Sequence, residues 1–477
     1  MRKRLVVLVL AIAIVAASCS SSTATSDSSV DDEAPGSDTT VEGQGEVEEV
    51  DRSKARFGPA PESPDGDVAP EVLAAVEGLA GEVDELVSYG PEGKANLETI
   101  GASNDPRLAW LLSDLIRLSD GTGRGSDAAS AAEQLVPVEL SQVSSTWGEL
   151  TDHLIAWDIP APPNYLTYKR NLYIEVVAEW EPLFEDGRDV DWRYVSWGGV
   201  GIDNRPFDTT DDPCSCIPAA DNPETSSADE AEWLDDGDII FGVEIGGETR
   251  AYPRQILEVR EMVNDTLGGR DFAMPYCTLC GSAQVFLTDQ LPDGVDRPVL
   301  RTSGLLTRSN KVMYDVVSGS VFDTFRGDAV TGPLADQELV LNQETVVTTT
   351  WGEWKADHPD TTVLIEDLAL GRDFDFRNNR DATGPIFPIG DLDQRLGVHD
   401  DVVGVITEDS GPIAFPVQQA RAALDDGDDV TLDGVTLAVE AGGLVATDAA
   451  TGDTIPSHQA FWFAWSQFHP DTQLWTP

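Results

Sequence analysis

Met262-Val-Asn-Asp-Thr-Leu-Gly-Gly-Arg-Asp-Phe-Ala-Met-Pro-Tyr-Cys-Thr-Leu-Cys-Gly-Ser-Ala-Gln-Val-Phe286 is the stretch from which the rest of the chain is read. It carries a C-x-x-C pair, Cys277 and Cys280, followed by Gly281. Asp271 to Tyr276 has the composition of a short strand, and Ala283 to Thr288 that of another, with Gly281-Ser282 helping the turn between them. In a thioredoxin-type pair a helix N-terminus lowers the thiol pKa. Strand–turn–strand flanks favour instead a knuckle, suited to a metal or a local disulfide.

Downstream come Ser303-Gly-Leu-Leu, Ser309-Asn-Lys-Val-Met-Tyr-Asp315, Trp351-Gly-Glu-Trp and His358-Pro-Asp-Thr361. With the central stretch, this ordered wording resembles the family known as domain of unknown function 3179, over roughly residues 195 to 477. The resemblance carries no activity with it. It does imply a His at the position of Arg260, in Glu258-Val-Arg-Glu-Met-Val-Asn-Asp265. If that His is a metal ligand or a base, this member lacks it, because an arginine stays protonated and can serve as neither.

The chain opens with Met1-Arg-Lys-Arg4 and an apolar run from Leu5 to Val15, too short to span a bilayer comfortably and suited to a signal peptide. Ala16-Ala-Ser-Cys19 resembles a bacterial lipobox, with Ala16 where Leu is commoner. We expect cleavage after residue 18 and a lipid on Cys19, which would anchor the protein on the outer face of the cytoplasmic membrane. A plain secretory signal with an incidental Cys19 is the alternative. Residues 19–64 are rich in Ser, Thr, Asp, Glu and Gly and cannot bury enough apolar surface to order themselves, so they read as an acidic tether.

The chain has 86 acidic against 30 basic residues, a formal net charge of −56. Such a surface repels nucleic acid and anionic headgroups, so nucleic-acid binding is excluded. The acids are scattered along the chain, which suits a solvated surface.

From 65 to 190 the pattern is helical. Apolar residues recur at three- and four-residue steps from Pro70 and from Pro106, with further helices expected over Ala128 to Leu135 and Thr146 to Trp157. Asp105 caps and Pro106 opens the second of these. No repeat period emerges, so a small helical bundle is expected, with His153 on its surface or packed rather than ligating. Near Trp192 the composition turns aromatic and extended, then polar and proline-rich from Arg205 to Ser226, where Cys214-Ser-Cys216 lies. Ser227 should cap a short helix, strands should follow at Asp238 to Ile245 and Thr249 to Pro253, and a helix should lead from Gln255 to Met262.

The second part echoes the first. Phe241-Gly-Val243 with Ala251-Tyr-Pro253 is matched by Val403-Gly-Val405 with Ala414-Phe-Pro416. Asp315-Val-Val-Ser-Gly319 is matched by Asp448-Ala-Ala-Thr-Gly452, and Trp354 to Thr361 by Trp465 to Thr472. Three matches in one order argue for a duplicated unit. The expected fold is therefore α+β: an all-helical domain, then a strand-rich domain of two related halves. The first half covers 191–365 and bears the C-x-x-C; the second, 366–477, is shortened. Each His-Pro-Asp-Thr reads as a helix stop, which accounts for His358 and His469 without a ligand role. His458 should open an aromatic helix belonging to the core.

With Cys19 assigned to the lipid, four cysteines remain. Cys214, Cys216, Cys277 and Cys280 can form two disulfides, local or crossed, or close one tetrahedral zinc or copper site. We expect the four sulfurs to gather in one cluster. Asn264, Asp265, Ser309 and Asn310 can line a pocket beside them, or simply satisfy turn backbones. No G-x-S-x-G, H-E-x-x-H or phosphate loop is present. Three functions stay open: a tethered envelope module binding a protein or small ligand, a metal-binding protein, and a thiol–disulfide oxidoreductase.

Overall fold

The computed structural model describes residues 53–80, 89–119, 124–141, 143–187, 190–209, 214–366 and 384–477. The leader, Cys19 and the tether as far as residue 52 lie outside the described residues.

Helices Pro70–Ala80, Pro91–Gly101, Ala109–Leu118, Arg124–Leu135, Thr146–Ala156 and Tyr165–Val176 form the N-terminal part. Ala109–Leu118 is its central element, buried from Ala109 through Ile116. Its entry is a 3-10 turn, Pro106–Leu108, capped by the Asp105 side chain accepting from the Arg107 backbone N–H. On the buried side, Asp114 accepts from Lys169 Nζ at 2.5 Å, Tyr165 Oη at 2.9 Å and Tyr173 Oη at 3.0 Å, so its charge is paired inside the core. The helices at 91–101 and 165–176 escaped the sequence reading. The first has only Leu97 and Ile100 as large buried apolar residues, and the second mixes buried tyrosines with the buried Lys169. His153 packs against Phe57 and Trp157, as expected.

The helical core does not stop at residue 190. One apolar cluster joins Trp110, Leu112 and Trp180 to Val195, Leu305, Val312 and Val321 of a four-stranded sheet. That sheet runs Val195–Trp197, Leu300–Thr307, Asn310–Asp315, Val321–Phe322. Trp180 Nε1 donates to the carbonyl of Ser303 at 2.7 Å, pinning helices to sheet.

Among the described residues, the strand-rich part forms five sheets. The one at the centre of the opening stretch is six-stranded, with Met262–Leu267 antiparallel to Arg270–Cys277 and Val285–Leu287 on the far side. Ser227 does cap as expected, closing a capping box with Glu230 over a single 3-10 turn.

Two other sheets are built alike. Ile239–Ile245 pairs antiparallel with Glu248–Pro253, Gly242 facing Ala251; Asp401–Thr407 pairs antiparallel with Gly411–Pro416, Gly404 facing Ala414. Each first strand takes a second antiparallel neighbour, Val347–Thr350 or Ser457–Phe461, and each hairpin a short parallel one, Thr362–Leu364 or Gln473–Leu474. Helices Trp351–Asp357 and Trp462–Phe468 follow the antiparallel neighbours. Trp354 and Trp465 lie over Gly242 and Gly404, where an added Cβ would stand 2.6 and 2.5 Å from their Cη2 atoms. Their indole N–H groups donate to Thr361 and Thr472 hydroxyls at 3.0 and 2.9 Å. Asp315 and Asp448 close matching turns, accepting the backbone N–H of Gly319 and Gly452 at 2.9 and 2.8 Å through their carbonyls.

One expectation needs correction. His458 does not open a helix: it sits inside the strand Ser457–Phe461, opposite Gly404, and the helix begins at Trp462. The run Ser457 to Trp465 is buried throughout except for small variation in degree, so its aromatic density gave no period from which to separate strand from helix. His358 and His469 are indeed helix-ending residues, their backbone N–H groups donating back to Trp354 and Trp465.

Candidate functional site

The central hairpin delivers the cysteines. Cys277 ends the strand Arg270–Cys277, Thr278–Cys280 makes one 3-10 turn, and Ser282 returns to pair with Cys277. This is the strand–turn–strand knuckle read from the sequence. Gly281 takes φ +61°, and an added Cβ there would meet the Phe461 ring at 2.9 Å, so both conformation and space call for glycine.

Cys277 and Cys280 are free thiols, 2% and 0% exposed, with Sγ atoms 2.9 Å apart. The Ser309 carbonyl lies 3.8 Å from Cys277 Sγ and 3.5 Å from Cys280 Sγ, and Asn310 Oδ1 lies 3.6 Å from Cys280 Sγ. Burial raises the cost of a thiolate at Cys277. The hydrogen bond from Cys280 and the positive charge of Lys311 outweigh it, so Cys277 stays below the usual thiol value. Burial, with the bond and charge of Cys277, pushes Cys280 well up. The two thiols are thus unequal, with the thiolate favoured at Cys277 and the proton at Cys280.

Lys311 is fixed by Glu261, its Nζ donating to the Glu261 carbonyl at 2.6 Å and lying 2.9 Å from Oε2. Glu261 has φ +49°, and its Oε1 accepts from Thr278 Oγ1 at 2.8 Å, tying the cation's partner to the knuckle itself. Sequence reasoning missed both residues. Lys311 directly follows Asn310, and that adjacency was the available signal.

The other expected residues divide. Ser309 and Asn310 do lie at the cysteines, Ser309 Oγ accepting from Gln467 Nε2 at 2.9 Å. Asn264 instead bridges strands, its Nδ2 reaching Asp221 at 2.9 Å and the Leu300 carbonyl at 3.1 Å. Asp265 is held by Arg250 at 2.5 Å and Tyr252 Oη at 2.7 Å. Both satisfy structure rather than line a pocket with the thiols. Arg260 pairs with Glu366 at 2.6 Å.

The four cysteines do not gather. Cys214 and Cys216 are disulfide-bonded to each other in the polar loop. Among the described residues, the one set of three or more possible metal ligands is Asp203, Cys214 and Cys216, which excludes Cys277 and Cys280. That set does not suit a cation: its two sulfurs are bonded together, and Asp203 is already paired with Arg205 at 2.7 Å. A four-sulfur zinc or copper site does not fit. The loop is anchored instead by Asp203 and by a bridge between Gly201 and Cys216.

Beyond the knuckle lies a buried polar group around His458. Its Nδ1 is 2.9 Å from Gln343 Nε2 and its Nε2 3.3 Å from Gln284 Nε2. Burial, then the neighbouring His469, lowers its pKa to about 3, so the ring is neutral and carries one N–H. A neutral ring cannot accept from both amides. Turning Gln284 so that its otherwise unpartnered Oε1 faces His458 Nε2–H satisfies both. Phe325 packs on His458, Phe468 and His469 and shares the apolar cluster of Cys277 and Cys280.

A cavity has Asn310 and Lys311 in its wall, with Asp323, Thr324, Phe468 and Trp192; Cys277 and Cys280 do not line it. Among the described residues, no helix is long and apolar enough to cross a membrane.

Compared with known proteins, residues 214–451 match a family model described as Protein of unknown function (DUF3179). Neither the curated proteins nor the solved structures offered a match.

Proposed function

We propose, from the premise that this chain belongs through residues 214–451 to the DUF3179 family, that it is a thiol–disulfide protein of the cell envelope. Cys277 and Cys280 convert between dithiol and disulfide, Cys277 attacking and Cys280 resolving. The observation that carries this is the unequal, isolated pair: two sulfurs 2.9 Å apart, one lowered in pKa beside Lys311 and the other raised. A thiolate is the species that exchanges with disulfides, and a proton-holding neighbour within reach closes the ring. The test is a mass measurement of the Cys277–Cys280 peptide after mild oxidation and again after reduction. The reading requires a loss of two hydrogens, reversed by dithiothreitol. A pair that stays reduced, or one that stays oxidised in reductant, would sink it.

The envelope location rests on the leader, on Cys19 and on the acidic stretch to residue 64. The Cys214–Cys216 disulfide suits an oxidising compartment. In this reading the lipid on Cys19 holds the protein to the outer face of the cytoplasmic membrane, and the partner is a small molecule or protein of that space. A tethered binding module without redox chemistry is the alternative, favoured by the burial of both sulfurs.

The strand-rich part derives from a duplicated unit. Support comes from the paired sheets, from the Trp354–Gly242 and Trp465–Gly404 contacts and from the Asp315 and Asp448 turns. Among the described residues, the six-stranded sheet with the thiols has no counterpart in the second copy, which leaves that copy as scaffold.

A further inference from the structure

Resting on the dithiol reading, we propose that Glu261 is a positioning residue for the pair: its main chain holds Lys311 beside Cys277, and its carboxylate restrains the charge that Lys311 lends the thiolate. The two tasks belong to different atoms. The Glu261 carbonyl accepts Lys311 Nζ at 2.6 Å and the Tyr276 backbone N–H at 3.0 Å, which fixes the lysine to the strand that ends in Cys277. Through Oε2 the carboxylate stands 2.9 Å from the same Nζ, while Oε1 accepts from Thr278 Oγ1 at 2.8 Å. One residue thus grips the cation at two points and the cysteine hairpin at two more.

The backbone of Glu261 sets it apart from an ordinary helix end. It follows the helix Arg254–Arg260 at φ +49°, its N–H donating to the Leu257 carbonyl at 2.8 Å. Glycine is the usual residue for a left-handed helix stop, and a larger one is strained there. Stopping the helix needs no carboxylate. The contacts with Lys311 and Thr278 are what the glutamate adds.

Few charges face the thiols. Burial disfavours a thiolate at Cys277, the Cys280 hydrogen bond and Lys311 favour it, and Glu261 opposes it. Glu258, near Tyr276, lies 3.6 Å from Arg254, and Arg260 is paired with Glu366 at 2.6 Å. His458 and His469, beyond Phe325, are neutral because burial lowers them to about 3 and about 4. Making residue 261 neutral therefore removes the opposing charge, while the carbonyl keeps the lysine in place.

Reduction of the Cys277–Cys280 disulfide takes up two electrons and one proton, leaving a thiolate at Cys277 and a thiol at Cys280. Dithiothreitol supplies the electrons, closes to its cyclic disulfide and releases its other proton to solvent. A better stabilised thiolate favours the reduced form and raises the potential.

The test compares the full-length protein with Glu261→Gln and with Glu261→Gly, which keeps the carbonyl and suits the left-handed backbone. One readout is thiolate ultraviolet absorbance against pH, less that of Cys277→Ser. The other is the potential of the Cys277–Cys280 peptide in dithiothreitol buffers. Both variants should raise the Cys277 thiolate-to-thiol ratio at a given pH by about threefold to tenfold. Both should make the pair more oxidising, a tenfold change in the equilibrium corresponding to about 30 mV. A residue that merely stops the helix would move neither readout. Should Glu261→Gln unfold, Glu261→Gly decides. An unchanged or lowered ratio would overturn this inference, a lowered one making the carboxylate the anchor of Lys311, and would leave the dithiol reading standing. Absence of a two-electron transition in the unaltered protein would overturn both.

Discussion

Gly242 and Gly404 offer a sharp test of how the scaffold is held. Replacing either with alanine puts a methyl 2.6 or 2.5 Å from Cη2 of Trp354 or Trp465. Carbon contacts settle near ~3.5–4.0 Å, and Cζ3 and Cε3 of each ring lie closer still, so the indole must retreat by more than about 1 Å. The hydrogen bonds to Thr361 and Thr472 stand in the way, and both rings are 2% exposed or less. Overpacking of this kind costs about 1–3 kcal/mol, and a lost indole hydrogen bond about 1 kcal/mol. Against this, alanine in place of glycine restores roughly 0.5–1 kcal/mol of chain entropy. The net is a destabilisation of about 2 kcal/mol for each variant, or a fall in melting temperature of about 5 °C. Urea unfolding followed by far-ultraviolet circular dichroism should reveal it. In the double variant Gly404→Ala with Trp465→Phe, the two costs should fall short of their sum by about 1 kcal/mol or more. Additive costs, or a stabilising Gly404→Ala, would refute the argument that ring and glycine are one contact.

Three further outcomes follow from the site and the leader. Lys311→Met should raise the pH midpoint of Cys277 alkylation while Lys311→Arg preserves it, measured by iodoacetamide labelling across pH. His458 is held near a pKa of about 3 by burial and by His469, against the usual 6.5. The folded state thus refuses a proton that the unfolded state accepts, so stability is full above about pH 6.5 and falls as pH drops below it. By pH ~4 the loss from this ring is on the order of 3 kcal/mol, and His458→Gln should flatten that part of a denaturation-against-pH curve. Cys19→Ala should move the protein from the membrane fraction to the medium; a membrane-bound variant would disprove the lipid anchor.

Much of the local structure was legible because it is set by neighbours in sequence. Asp105 before Pro106, the glycine turn at Gly281 and the helix stops at His358 and His469 all act within a few residues. The matched glycine–tryptophan wording was legible too, since both members recur with their spacing. What escaped depends on contacts far along the chain. Glu261 gathers Lys311 across 50 residues, and Asn264 reaches Leu300 across 36. Nothing near Cys214 says that its partner is Cys216 and not the distant knuckle. The apparent border at residue 190 is a change of pattern in the sequence, yet Trp180 and Val312 lie in one core. His458 was misplaced because a run buried on every side has no period to read.

If Cys277 and Cys280 form an exchangeable pair, their reduction potential must show it. The full-length protein would be equilibrated in dithiothreitol buffers of defined potential, quenched with acid and alkylated, and the Cys277–Cys280 peptide weighed. An exchangeable pair gives one two-electron transition at a potential above about −300 mV, the range of labile rather than structural disulfides. Both cysteines should enter it together, with Cys277 the first to label under limiting alkylation. A transition well below about −300 mV, or none at all, would contradict it.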